Sequence, residues 1–182
     1  MKGCTVAAVD FESLIYDIPD YPTPGVVFKD ITPLLGDAEG FSAAVDALAE
    51  HFSGQGVTKI VGAEARGFAV GAALAYKMKV GFVPARKPGK LPRKTVSAEY
   101  ALEYGTDELQ VHADGLTSED SVLIIDDLLA TGGTAAAQVC LVEKFRARLV
   151  GLGFFMELEY LNPRDHLAKV TNADVFTLVK VK

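Results

Sequence analysis

The chain has 182 residues, 49% of them apolar, and a net charge of −6. That length suits one domain with a substantial core, and the acidity disfavours nucleic-acid binding through the whole surface. No apolar stretch approaches the ~18–20 residues of a membrane span, and the N-terminus MKGCTVAAVDFESL lacks the apolar core of a signal peptide. Cys4 and Cys140 alone imply no disulfide framework, so a reducing cytoplasm is expected.

Phe11, Leu14 and Ile15 have helical spacing, which predicts a short helix starting near Asp10, a candidate N-cap. The segment from Ile18 to Pro33 holds Pro19, Pro22, Pro24 and Pro33 and reads as an irregular loop of functional length. Val26, Val27 and Phe28 form an apolar patch inside it, which either anchors the loop or lines a pocket. Residues 37–52 predict an amphipathic helix capped by Asp37, with Phe41, Val45, Leu48 and Phe52 on one face. His51 at its end reads as a solvated residue.

Thr58 to Val61 reads as a strand, residues 62–67 as its exit loop, and Phe68 to Tyr76 as a helix of small residues. Arg66 stands at the helix start, where a guanidinium fork suits an anion. Val80 to Ala85 is a further strand, followed by five cations in the nine residues from Arg86 to Lys94. Such a run is either a solvated loop or, leaving a core strand of an acidic chain, a site for a polyanion. From Val96 the period becomes two: Val96, Ala98, Tyr100, Leu102 and Tyr104, then Leu109 and Val111 beyond Gly105-Thr106-Asp107. This predicts a hairpin, and an isolated hairpin is marginal enough to serve as a mobile lid.

The stretch Val122 to Thr134, VLIIDDLLATGGT, carries the most chemistry. Val122 to Ile125 reads as a strand buried on both faces, as in a parallel sheet, with Asp126 and Asp127 where it should end. Ala130-Thr131-Gly132-Gly133-Thr134 then leads into a helix running to about Phe145, in which Cys140 reads as a small core residue. Ligands of parallel sheets bind at the carboxyl ends of strands, and a Gly-rich loop opening a helix suits a phosphate. Two carboxylates would repel that phosphate but accept hydrogen bonds from vicinal hydroxyls, and a ribose 5-phosphate offers both groups. The stretch lacks the Lys-Ser/Thr ending of the P-loop and the three-glycine dinucleotide spacing. Leu149 to Phe155 and Asp174 to Val179 are the last strands, with a mixed segment at 157–167 between them.

VLIIDDLLATGGT resembles the phosphoribosyl-pyrophosphate (PRPP) signature of type I phosphoribosyltransferases. The resemblance extends to the adenine-using branch through PDYPTPGVVFKDITPLL at 19–35, VGAEARGF at 61–68, GFVPARKPGKLP at 81–92 and ALEYGTDELQVH at 101–112. It implies a single α/β domain over 1–182, with a mostly parallel twisted sheet flanked by helices. An N-terminal hood at about 1–35 and a flexible hairpin lid at about 86–110 are expected with it. It implies the reaction of adenine with PRPP to give AMP and pyrophosphate, with Mg²⁺ bound mainly through substrate phosphates and no direct set of protein ligands. Ala130, Thr131, Gly132, Gly133 and Thr134 would bind the phosphate, and Asp126 and Asp127 the ribose. Glu64, Ala65, Arg66, Lys87 and Lys90 would bind pyrophosphate, through a cis peptide between Glu64 and Ala65. Val27, Phe28, Lys29 and Leu158 would contact adenine; the family usually has Arg where this chain has Lys29. Glu103 becomes the acid–base residue of the purine, and Tyr104 a lid residue. A cytoplasmic homodimer without nucleic-acid or membrane partners is expected. The alternatives are a phosphoribosyltransferase for hypoxanthine, guanine or xanthine, and a non-catalytic PRPP-sensing regulator.

Overall fold

The computed structural model describes residues 9–101 and 106–182. The chain divides into two compact units at Ala44. In the N-terminal unit a 3-10 turn over Glu12–Leu14 takes the place of the expected helix. Asp10 does not cap it with its side chain; instead its carbonyl accepts a hydrogen bond from the Ser13 hydroxyl at 2.8 Å. The segment predicted to be irregular contains an antiparallel hairpin, β1 (Tyr16–Pro19) and β2 (Val27–Asp30), paired from Tyr16↔Asp30 to Pro19↔Val27. The prolines permit it by position. Pro19 ends β1, Pro22 and Pro24 lie in the connection, and Pro33 sits in the first turn of α1 (Thr32–Gly36), where its missing N–H costs nothing. Asp37 caps α2 (Ala38–His51) as the sequence predicts, accepting from the Gly40 N–H at 2.7 Å.

The second unit is built on a five-stranded parallel sheet in the order β4-β3-β7-β8-β9. Its strands are β3 (Lys59–Ala63), β4 (Gly81–Ala85), β7 (Ser121–Leu129), β8 (Arg148–Leu158) and β9 (Asp174–Val181). Helices α3 (Arg66–Met78) and α4 (Gly133–Lys144) follow β3 and β7 directly, and the short α5 (Pro163–Leu167) follows β8. Parallel strands covered by helices carry long apolar runs, and Gly151 to Leu158 of β8 are buried without interruption. His51 is not simply solvated: its Nε2 lies 2.5 Å from Asp174 and its ring stacks on Phe176 with centroids 4.0 Å apart.

Two departures from the sequence reading bear on the site. β7 does not end at Asp126 but pairs with β8 through Asp126↔Phe154 to Leu129↔Glu157. Ladder bonds come from the backbone, so charged side chains at a strand end need not stop it. Asp126 and Asp127 both line the cavity at the end of this strand. The predicted hairpin, β5 (Thr95–Ala101) with β6 (Thr106–His112), is present but not isolated. Arg86 and Gln110 exchange backbone hydrogen bonds of 2.8 and 2.7 Å, tying β6 to the exit of β4. Ala98, Leu109 and Val111 belong to the main core, with Val96 packed against it. The base of the expected lid is therefore core. Glu103 and Tyr104 lie outside the described residues.

Candidate active site

The exit loops of β3 and β7 share a cavity of about 350 Å³ lined by residues 64–66, 126–128 and 130–135. It gathers all the residues expected to hold phosphate and ribose, and Glu64, Ala65 and Arg66 of the pyrophosphate set; Lys87, Lys90 and Leu158 do not line it. Gly132 turns the phosphate loop with φ +90°. A Cβ there would lie 3.2 Å from the Pro163 carbonyl and 3.4 Å from His166 Cβ, so α5 packs directly on the loop. Both conformation and space require glycine. No side chain caps α4, and Gly133, Thr134 and Ala135 of its first turn line the cavity, an arrangement that suits an anion.

The charges are arranged in pairs. Asp127 is 5% exposed, and Arg66 Nε donates to its Oδ2. Asp126 Oδ1 accepts from the Asp127 N–H at 3.0 Å, while its Oδ2 lies 3.3 Å from Gln138 Nε2. A Cβ on Gly67 would fall 2.6 Å from Asp126 Oδ1, so that glycine makes room for the carboxylate. Burial first, and the charge of Asp127 second, push the Asp126 carboxyl well above the usual carboxylate range, with Arg66 opposing them. Glu64 is engaged differently. Its two oxygens accept from Arg86 Nε at 2.7 Å and from the Lys87 N–H at 2.9 Å. Burial pushes its carboxyl up, but these bonds and the charges of Arg86 and Lys90 hold it below its ordinary value. Its side chain thus anchors the loop bearing Lys87 and Lys90, while Glu64 also lines the cavity. The Glu64–Ala65 peptide is cis, as the resemblance implies.

Residues 35–179 match the phosphoribosyl transferase domain family. An adenine phosphoribosyltransferase of Solidesulfovibrio magneticus is 61% identical over 159 residues, covering 87% of this chain and 93% of that protein. The chain belongs to the adenine phosphoribosyltransferase family. Among solved structures, the family member from Thermoanaerobacter pseudethanolicus superposes with a TM-score of 0.88 at 46% identity, covering 93% of this chain and 97% of that one. The Saccharomyces cerevisiae member, complexed with an imino-altritol bisphosphate and adenine, gives 0.85 at 39% identity, covering 92% and 96%.

The residues that the family resemblance assigns to the base are placed on two elements. Val27, Phe28 and Lys29 form β2 of the N-terminal unit, where Phe28 meets Tyr21 edge-on with centroids 5.3 Å apart. Leu158 ends β8. Beside it, Glu157 is 1% exposed and accepts from Arg164 Nε and Nη2, both at 2.8 Å, and from the Thr177 hydroxyl at 3.1 Å. Burial raises the Glu157 carboxyl, and Arg164, Thr177 and Lys180 outweigh it to leave it below its ordinary value. This pair fastens α5 to the sheet and so supports the phosphate loop. Sequence reasoning assigned no role to Glu157, Arg164, Arg86 or Gln138. A lone Glu inside the apolar run FFMEL was the one available signal.

Proposed function

We propose that the protein transfers the 5-phosphoribosyl group of PRPP to adenine, giving AMP and pyrophosphate. The observation that carries this reading is the convergence of the Gly132–Gly133 loop, the Asp126–Asp127 pair and the Glu64–Arg66 loop on one cavity. Family membership supports adenine as the base, and the yeast relative is complexed with adenine.

The 5-phosphate takes the N–H groups at the start of α4 and the hydroxyls of Thr131 and Thr134. The ribose hydroxyls donate to Asp126 and Asp127. Pyrophosphate meets the backbone at Glu64 and Ala65 and the guanidinium of Arg66, with Lys87 and Lys90 adding charge. Val27, Phe28, Lys29 and Leu158 hold the base. N9 of adenine bonds to the anomeric carbon as the bond to pyrophosphate breaks, and the leaving oxygen takes the electron pair. Positive charge that develops on the sugar is favoured by the aspartates, and negative charge on the leaving group by Arg66 and the lysines. Adenine reacts as the tautomer protonated at N7, whose N9 carries the free lone pair; the Glu103 carboxylate accepts the N7 proton as N9 forms its bond, with Tyr104 as a lid residue. Asp127 is buried and already paired with Arg66, so Mg²⁺ fits here as a companion of the substrate, held mainly by phosphate oxygens and water. When bound, it neutralises charge on the leaving group. The proposal includes a cytoplasmic homodimer, on the strength of the resemblance and the low cysteine content.

A panel of adenine, hypoxanthine, guanine and xanthine with PRPP and Mg²⁺, read by pyrophosphate release, tests the reading. Adenine should be the preferred base. Preference for another purine would reassign the substrate, and no release with any base would leave a PRPP-binding regulator.

A further inference from the structure

Gln138 lies in α4, one turn beyond the phosphate loop, and is fully buried. A buried amide normally satisfies both ends, because an unpaired polar group there costs roughly 1–3 kcal/mol. Gln138 does not. Its Oε1 is buried and finds no partner among the described residues, while its Nε2 points at Asp126 Oδ2 from 3.3 Å. Packing alone would be served better by Leu or Met. The amide has one polar contact, and that contact is with a carboxylate of the ribose pair.

The surroundings of Asp126 show what the contact does. Oδ1 is held by the Asp127 N–H on β7 and pressed against Gly67 at the start of α3. Gln138 reaches Oδ2 from α4. The charged groups facing Asp126 are Asp127 from β7, which disfavours its ionised form, and Arg66 from α3, which favours it. Arg66 donates to Asp127 and favours the Asp126 carboxylate through its charge. An N–H directed at Oδ2 stabilises a carboxylate there.

We propose that Gln138 is a positioning residue for the phosphoribosyl transfer, its buried amide orienting Asp126 Oδ2 and holding Asp126 as the acceptor for a ribose hydroxyl. This rests on the ribose role of Asp126. The amide meets Oδ2 with Nε2 forward, which leaves Oε1 behind it without a partner among the described residues. Replacing the N–H by an apolar group makes ionisation harder, so the acid side of the pH profile moves towards neutrality.

The test is the pH profile of kcat/KM for PRPP in Gln138→Met, which fills the volume without a donor. Gln138→Glu serves as a second variant, which places another acid against Asp126. Relative to wild type, Gln138→Met should lose about tenfold near pH 6, the lower end for a hydrogen bond to a charged group, and recover most of it near pH 9. Gln138→Glu should move the profile in the same direction and at least as far. KM for adenine should stay within about twofold, because the contact is remote from the base. Equal losses at every pH, or wild-type profiles in both variants, would overturn the proposal. Asp126→Asn is assayed alongside. If it is inactive while the Gln138 profiles stay unmoved, only the Gln138 inference falls; if it keeps full activity, the ribose reading falls and takes this one with it.

Discussion

At Lys29 the ammonium donates to both oxygens of Asp17, at 2.6 and 2.7 Å, across the β1–β2 hairpin. Lysine cannot also present the planar fork of arginine, so a base contact at this position falls to its backbone and aliphatic stem. Lys29→Met should therefore raise KM for adenine by no more than about fivefold, corresponding to the ~1 kcal/mol of an exposed ion pair. A hundredfold rise in steady-state assays would return the ammonium to the base. The aspartates of β7 are expected to matter more. Asp126→Asn and Asp127→Asn should each lower kcat/KM for PRPP by about tenfold to a thousandfold, the range of one to three charge-assisted hydrogen bonds. For Glu103, Glu103→Gln should lower kcat by roughly tenfold to ten-thousandfold and leave PRPP binding nearly unchanged, since the proposed contact is to adenine. Comparable damage from Glu99→Gln would mark both as general harm to the hairpin.

Among the elements, the β5–β6 hairpin changes meaning most between sequence and structure. Alternation identified both strands, but not the bridge to Arg86 or the burial of Ala98, Leu109 and Val111. Amide exchange should accordingly find these three protected without ligand, and PRPP or AMP binding should change their exchange little. Uniform slowing along the whole hairpin would mean that its base moves as well. What was legible follows the same division. Apolar runs revealed the buried strands, and Asp126, Asp127 and the TGGT loop revealed the site, because their chemistry is local in sequence. The β1–β2 hairpin was hidden by prolines whose harmless placement only pairing register could show. The end of β7 was misplaced because two aspartates read as a strand exit. Gln138, Glu157 and Arg164 were illegible because a buried polar residue looks like a surface one until its partners, between 7 and 20 positions away, are known.

Across the whole molecule, the shifted carboxyl groups oppose one another in their effect on folding. Glu64, Glu157 and Asp120, whose carboxylate accepts from the Thr117 N–H and from the hydroxyls of Thr58 and Thr117, are held below ordinary values of 4.5 for Glu and 3.8 for Asp. Their contribution is complete above those values and is lost as pH falls through the lower folded ones, because the unfolded chain then binds more protons. Asp126 has the opposite sign. It gives up its proton at 3.8 when unfolded but keeps it to higher pH when folded. The folded state then binds more protons in that interval, and stability declines as pH rises until the folded group has ionised. The melting temperature of the ligand-free protein should therefore peak on the acidic side of neutrality, with a limb on each side. Glu157→Gln should flatten part of the acid limb and lower the neutral plateau, since Arg164 loses its charged partner. Asp126→Asn should remove the decline towards neutral pH and raise the plateau while it lowers kcat/KM for PRPP, a site that trades stability for function. Calorimetric scans of the three proteins between about pH 4 and pH 9 decide it: an Asp126→Asn curve parallel to wild type would show that this carboxyl does not set the neutral limb.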